Sequence, residues 1–356
     1  MIDSVTPRTD VGPEGERPAI PLVDGDAVAL VAACPDRVAD LIGSARRHYT
    51  GLVLRLGDWA ARRWLTRTVN PYREEIDAVA RRVGVPGGEM LNLSYEWTCT
   101  SGVGPQPGGP GMRMLRTLDW PLDGLGRTLV VARRPSPHGS YLNVTWPGYV
   151  GVLTAMAPGR FAAAINQPPM RARTPWCWLD WAIDRIAMWR SDSLPPSHLL
   201  RRVFDSCRDY DEAKAALCET PVCMPVFYTL AGTTEGAGCV IERLPDRAVV
   251  HEAPTSIANH WLGIHRDERP RGTDSRGRLA QMERIRDLAA DDLSWLEPPI
   301  LNPTTCIAAV ANAATGYLAV QGLEADGPAT ATFRTTEPAR GETPDTSPAR
   351  PAEATG

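Results

Sequence analysis

Apolar positions recur at helical spacing through the first quarter of the chain. Val38, Leu41 and Ile42 mark one stretch, residues 52–65 a second, and Ile76, Val79 and Ala80 a third that carries Pro71 in its opening turn. This spacing predicts helices across residues 26–98. Pro86-Gly87-Gly88 is expected to interrupt that region without ending it, because the pattern can resume at residues 90–97. From residue 99 the character changes to short β-type runs at 128–132, 140–146, 150–156 and 161–165, separated by turn signals such as Pro158-Gly159. They predict a series of hairpins. Residues 174–218 return to helix, with Trp176, Trp178, Trp181 and Trp189 set among Leu179, Ile183, Ile186 and Met188, and with Asp211-Glu212 opening a further helix. Strands are expected again at 226–231, 237–243 and 247–252, a helix after Asp274-Ser275, and two closing strands at 305–311 and 316–321. Blocks of antiparallel strands alternating with blocks of helices predict an α+β fold of layered sheets, not a parallel βαβ array. The tryptophan-rich helix is apolar over most of its circumference. It is expected to pack chiefly in the core, with part of it available to line an acyl pocket.

Composition narrows the class of protein. With 356 residues, 43% of them hydrophobic, the chain can bury the core of one large domain. Residues 1–25 and 335–356 have the Pro, Glu, Thr, Ala and Gly mixture that buries little, and both are expected to be disordered. A net charge of −4 with interspersed signs offers no basic face, so no nucleic-acid partner is expected and small-molecule chemistry is favoured. No run approaches a membrane span, and the N-terminus lacks the layout of a signal peptide. The eight cysteines sit in apolar contexts and read as reduced thiols of a cytoplasmic protein. Six histidines show no metal spacing and Cys218 and Cys223 have no partner pair, so neither a metal nor another cofactor is expected. The glycines at 102, 104, 108, 109 and 111 neither follow a strand nor open a helix. They read as a wide hairpin turn, not a phosphate loop.

One constellation carries chemistry. Cys99 lies in Thr98-Cys99-Thr100-Ser101, and the next strand-like run holds Arg116 and Asp119. A cysteine thiol at neutral pH is only about a few per cent thiolate and needs an activating neighbour. An α-amino group, with a pKa of roughly 8, could take the proton if Cys99 were itself an N-terminus. That requires cleavage of the Thr98-Cys99 bond. Arg116 would then favour the thiolate and Asp119 would orient the amine, provided one of them sits at a strand end or bulge, because residues three apart face opposite sides of a straight strand. On spacing alone, the favoured reading is Cys99 as a buried small hydrophobe and Arg116 and Asp119 as a surface pair.

A series of ordered matches bears on that choice. Glu74-Glu75-Ile76, Gly84-Val85-Pro86, Cys99-Thr100-Ser101, Arg116 to Asp119, Gly148-Tyr149-Val150-Gly151, Asn166, Leu179-Asp180-Trp181, Tyr210-Asp211-Glu212-Ala213-Lys214, Gly238-Cys239-Val240-Ile241, Asn259 and Arg276 follow one another across residues 71–322. In this the chain resembles the acid ceramidase and N-acylethanolamine acid amidase family of N-terminal nucleophile cysteine hydrolases, which are related to penicillin acyltransferase-like enzymes. The resemblance implies an αββα sandwich of two antiparallel sheets between helical layers. It implies Cys99 as the nucleophile, Arg116 and Asp119 beside it, Asn259 in the oxyanion hole and Arg276 as a second site arginine, with Gln167, Tyr149 and Trp181 toward the substrate.

The implied life history is that of a zymogen. Self-cleavage between Thr98 and Cys99 would separate a helical segment, 26–98, from a catalytic segment, 99–334, the two staying associated. The mature protein would hydrolyse a linear N-acyl amide through an acyl-thioester. An acyltransferase passing the acyl group to a second amine, or a non-catalytic protein that keeps the fold, are the alternatives. The chain departs from the pattern in carrying Gln167 where the ceramidase-like relatives have glutamate, in following Asn259 with His260 and a longer interval to Arg276, and in placing Tyr95 closer to Cys99. These changes imply a different head group. His260 as a partner of Cys99 is disfavoured, because the adjacent Asn259 is poorly placed to orient it.

Overall fold

The computed structural model describes residues 17–93 and 97–337. Strand β1 (Leu22–Asp24) leads into helix α1 (Ala27–Ala33), whose first turn is closed by the Asp26 carboxylate accepting from the Ala29 amide at 2.9 Å. Helix α2 (Pro35–Arg67) is broken at Thr50, where φ is 63°, so it is two helices joined across a kink, as the two separate apolar stretches imply. Helix α3 (Arg73–Val83) stops at Gly84, whose φ of 69° supplies the left-handed cap, and Pro86 follows. Of the expected resumption of helix, the described residues show one 3₁₀ turn, Leu91–Leu93. Residues 94–96, with Tyr95, lie outside the described residues.

Strands β2 (Thr98–Pro105), β3 (Met112–Asp119), β4 (Val130–Arg134), β5 (Tyr141–Thr145), β6 (Thr154–Ala157), β7 (Phe161–Asn166) and β8 (Met170–Arg171) precede helices α4 (Cys177–Arg190), α5 (Pro196–Ser206) and α6 (Tyr210–Glu219). Then come β9 (Val226–Gly232), β10 (Gly238–Arg243), β11 (Ala248–Glu252), β12 (Thr255–Ile257), β13 (Glu268–Arg269), helix α7 (Ser275–Ile285), and β14 (Thr305–Asn312), β15 (Tyr317–Glu324), β16 (Gly327–Pro328) and β17 (Phe333–Thr336). One sheet runs β1-β4-β5-β6-β7-β9-β10-β11 and the other β12-β2-β3-β14-β15-β16, with β17 also on β15. All pairings are antiparallel except β1 with β4.

The two sheets face each other through β2 and β3 against β7 and β9; α5 and α6 cover the first sheet and α7 the second. The α+β sandwich expected from the sequence is thus the observed architecture. Alternation along β3 shows how the layers arise: Met112, Met114 and Leu118 join the core between the sheets, while Leu115 packs with Met282 beneath α7. The sheets are flanked by a closely fitted loop. A Cβ on Gly126 would lie 1.9 Å from the Leu323 carbonyl oxygen, and one on Gly322 2.0 Å from that of Gly126.

Three expectations are corrected. The stretch 1–25 is not wholly without structure, since β1 pairs with β4. The C-terminal stretch begins ordered as well, with β17 on β15 and Glu337 paired to Arg133 at 2.5 Å. The isolated composition of both segments hides this because their partners are distant in sequence. Helix α4 is not a core helix: Trp176, Trp178, Trp181 and Trp189 are all exposed, and its one fully buried side chain is Asp180. Asp180 pairs with Arg269 at 2.7 Å and accepts the Thr174 amide at 3.0 Å, so a buried ion pair anchors the helix and its aromatic faces are left outside. Among the described residues no helix is long and apolar enough to cross a membrane.

Candidate active site

Cys99 is the second residue of β2 and is fully buried between the sheets. Pairing with β3 sets Thr98 opposite Asp119, Cys99 opposite Leu118 and Ser101 opposite Arg116. The requirement that Arg116 and Asp119 share a site is met at the end of the strand. Asp119 is the last residue of β3, and the register of β14 shifts there, Thr305 pairing with Asp119 but Ile307 with Leu118. Asp119 accepts from the Thr305 hydroxyl at 2.8 Å and the Thr98 hydroxyl at 3.4 Å. Arg116 points inward, donating to the Thr154 hydroxyl and to the Ile165 carbonyl at 3.0 Å, so β6 and β7 of the opposite sheet hold its guanidinium.

Both ends of the Cys99 backbone are held by side chains. Its amide donates to Asn259 Oδ1 at 3.0 Å, and its carbonyl accepts from Arg278 Nη1 at 2.8 Å. Arg278 also donates to Thr100 Oγ1 and to Asn259 Oδ1, each at 2.8 Å, and lies 3.6 Å from the Asp119 carboxylate. Asn259 Nδ2 donates to the Gln167 carbonyl at 2.7 Å, which fixes the amide's orientation. The neighbouring Asn166 is tied as tightly, accepting from Ser101 Oγ at 2.7 Å and donating to the Ile257 and Ala258 carbonyls, each at 3.2 Å.

Burial pushes the Cys99 thiol up to about 12, against the pull of Arg116 and Arg278, with the Asp119 charge pushing the same way as burial. In the intact chain the thiol is therefore protonated. Burial also raises Asp119, an effect opposed chiefly by Arg278, and lowers Arg278, opposed chiefly by Asp119. Two buried guanidiniums and one carboxylate thus act on the Cys99 thiol.

The structure brings together Cys99, Thr98, Arg116, Asp119 and Asn259, and the arginine it places beside Cys99 and Asn259 is Arg278, not Arg276. Arg276 is exposed on the first turn of α7. Two residues along a helix turn it through about 200°, so Arg276 and Arg278 face opposite ways. The signal for Arg278 is its spacing to Met282, which is also fully buried: an i, i+4 pair on the face of α7 that meets the sheet. In the intact chain Asn259 Oδ1 accepts from the Cys99 amide, so Asn259 holds the nucleophile's nitrogen, and one of its two Nδ2 hydrogens is committed to the Gln167 carbonyl. His260 bonds through Nδ1 to Ser275 Oγ at 2.7 Å, apart from the thiol, and burial and then Arg276 lower its pKa.

Gln167 and Trp181 line one cavity of about 380 Å³ with Pro168, Arg171 and Met188. Trp181 and Met188 also border an adjoining, more apolar hollow of about 180 Å³ lined by Trp64, Met90 and Leu93. Tyr149 does not join them; it lies in a separate apolar recess beside Trp146 and Leu125, beneath α2 and α3.

A nucleophile-type residue at the head of an inner strand, inside a sandwich of two antiparallel sheets covered by helices, defines an N-terminal nucleophile hydrolase fold. No family model matches the chain. Acid ceramidase of Mus musculus is 29% identical over 194 residues, which are 49% of this chain and 48% of that protein. N-acylethanolamine-hydrolyzing acid amidase of Cavia porcellus is 28% identical over 179 residues, 49% and 48% of the two chains. The chain thus spans about half the length of the curated relatives it matches. Among solved structures, the Caenorhabditis elegans N-acylethanolamine-hydrolyzing acid amidase ortholog aligns with a TM-score of 0.48 and 19% identity, over 67% of this chain and 100% of that one. Penicillin V acylase from Agrobacterium tumefaciens aligns with a TM-score of 0.38 and 15% identity, over 63% and 83%. Over about half its length the chain is thus similar to acid ceramidases and N-acylethanolamine-hydrolyzing acid amidases.

Proposed function

We propose that the protein is a self-processing amidohydrolase whose nucleophile is Cys99. The observation that carries this reading is the double clamp on the Cys99 backbone, by Asn259 on the amide and Arg278 on the carbonyl, at the strand end where Asp119 meets Thr98. In maturation, Cys99 Sγ attacks the Thr98 carbonyl and the Thr98-Cys99 C–N bond breaks as the acyl group passes to sulfur. Water then hydrolyses the thioester, leaving a Thr98 carboxylate and a Cys99 that carries both a free thiol and a free α-amine.

The same chemistry then acts on substrate. The α-amine, retained by Asn259 Oδ1, takes the Sγ proton, and the positive charges of Arg116 and Arg278 favour the thiolate that forms. Sγ attacks the carbonyl of a linear N-acyl amide, and the C–N bond breaks as the α-ammonium returns its proton to the departing amine. Water hydrolyses the acyl-thioester, releasing the carboxylic acid and regenerating the thiol. The apolar hollow bordered by Trp64, Met90 and Met188 suits an acyl chain, whose burial contributes about 0.8 kcal/mol per methylene.

The two fragments are expected to remain one particle. Glu75 of α3 pairs with Arg201 at 2.6 Å and Arg134 at 3.1 Å, and Asn92 takes the Val150 amide at 2.7 Å while donating to the Gly148 carbonyl at 3.0 Å. Ile76 and Val79 share a cluster with Val150. Intact-mass measurement tests the proposal: the wild type should yield fragments 1–98 and 99–356 that co-elute on gel filtration, and Cys99→Ala should stay whole. Free fatty acid should be released from N-acyl amides by the cleaved protein only. An uncleaved wild type whose Cys99 resists alkylation and which releases no acid would overturn the reading.

A further inference from the structure

The cavity beside Gln167 is unusually cationic for one expected to hold part of a lipid amide. Arg171, Arg173, Arg185, Arg266 and Arg271 line it against only two carboxylates, Asp184 and Asp246, an excess of three positive charges in about 380 Å³. One of those carboxylates is already engaged, Asp184 with Arg173 at 2.8 Å. Arg185 lies over the Trp181 ring at 5.3 Å and Arg266 over Trp261 at 5.5 Å, so stacking on aromatic faces, not pairing with anions, fixes two of the guanidiniums. Arg266 Nε is buried without a hydrogen-bond partner. Burial lowers the pKa of Arg266, and Arg171 and Arg173 lower it further by repulsion. Gathering like charges around an enclosed space is unfavourable in the empty protein and becomes favourable when an anion enters.

The wall of the cavity is tied to the residues around Cys99. Gln167 lines it and gives its carbonyl to Asn259, the residue that holds the Cys99 amide. Arg271 donates to the Pro168 carbonyl at 3.0 Å, and its neighbour Gly272 sits so close to Thr98 that a Cβ there would lie 2.8 Å from the threonine Cγ2. Gln167 itself is neutral, so it adds no carboxylate to the cavity wall. The adjoining apolar hollow, across Trp181 and Met188, is left for the acyl chain.

We infer that the amine portion of the substrate carries an anionic group, a carboxylate or sulfonate, which these arginines receive, so that the preferred substrate is an N-acyl amino acid and not an N-acyl amino alcohol. This rests on the amidase reading. The test uses the wild-type protein after self-cleavage and two amides with the same acyl chain, an N-acylglycine and an N-acylethanolamine, each followed both by turnover and by direct binding. The acylglycine should show a kcat/KM at least about tenfold higher, a preference that falls with added salt. Arg266→Gln and Arg171→Gln should each cut that preference about tenfold through KM for the acylglycine, whereas Arg82→Gln, an exposed arginine outside the cavity, should leave it intact. Turnover of both amides with no preference, or a preference unmoved by the cavity variants, sinks the anion site and leaves the amidase standing. Tight binding of the acylglycine, lost in Arg266→Gln, with no turnover of either compound sustains the anion site and sinks the amidase. Binding of neither overturns the anion site outright.

Discussion

Arg278→Met, set against Arg276→Met, asks whether burial and hydrogen bonding identify the second site arginine. Arg278 makes hydrogen bonds to the Cys99 and Thr273 carbonyls, Thr100 Oγ1 and Asn259 Oδ1, and lies 3.6 Å from Asp119 with both side chains about 1% exposed. Removing one partner of a buried pair costs about 3–5 kcal/mol, because the other charge is left uncompensated. The lower end is expected here, near 3 kcal/mol, since Thr305 still donates to Asp119 and burial already favours the protonated carboxyl. In a Cys99→Ala background, which keeps the chain whole, the urea midpoint should fall by about 1 M if m is near 3 kcal/mol/M. Adding Asp119→Asn should recover most of the loss, because the orphaned charge disappears with it. In the Cys99 background, self-cleavage followed by mass should slow by about 100-fold, the scale for misplacing a reacting group by roughly 1 Å, because Arg278 no longer holds the Cys99 backbone through its carbonyl. Arg276→Met is exposed and should stay within about 0.5 kcal/mol, cleaving at the normal rate. If Arg276→Met stops cleavage while Arg278→Met cleaves normally, or if Asp119→Asn restores nothing, the assignment is wrong.

Other consequences can be checked independently. His198 is fully buried and accepts the Asn70 amide at 2.9 Å, and burial pushes its pKa down to about 3. A depressed histidine opposes acid: its contribution is present above the unfolded value of about 6.5 and is lost as pH falls through that value toward 3, so stability should drop by about 2 kcal/mol between pH 7 and 5, with His198→Gln flattening that limb of the pH–stability curve. Gly126→Ala should destabilise by several kcal/mol, near the large end of single substitutions, because its Cβ would meet the Leu323 carbonyl oxygen at 1.9 Å; a thermal midpoint within about 2 °C of wild type would contradict the fit of that loop on β15. Trp178→Ser, at a side chain 68% exposed, should cost less than about 0.5 kcal/mol, whereas Trp97→Ser, 1% exposed, should cost about 3–5 kcal/mol; comparable urea midpoints for the two would refute the placement of α4 outside the core.

Much of the framework was legible along the chain because it is set by local periodicity. The short β-type runs expected at 161–165, 226–231 and 305–311 became β7, β9 and β14 with bounds shifted by a residue or so. Likewise, the gap between the first two helical stretches became the break at Thr50. The demand that Arg116 and Asp119 meet at a strand end followed from the geometry of a strand, and the end of β3 with its facing bulge meets it. Cys99 as the point of interest was readable from residue chemistry joined to family resemblance.

What the tertiary structure alone decided concerns partners remote in sequence. Arg276 and Arg278 are equivalent as letters, and only the packing of α7 on β2 and β12 buries one and exposes the other. The tryptophans of α4 read as core because their apolarity is local, whereas their exposure depends on Asp180 finding Arg269 some ninety positions away. Strand β1 has no ladder of its own and exists because β4 supplies one. The arginines around Gln167 come from three separate stretches, at 171–173, 185 and 266–271, so no window of sequence contains their charge excess. Periodicity sets which face of an element is apolar, but burial of a charge depends on which other element arrives to compensate it.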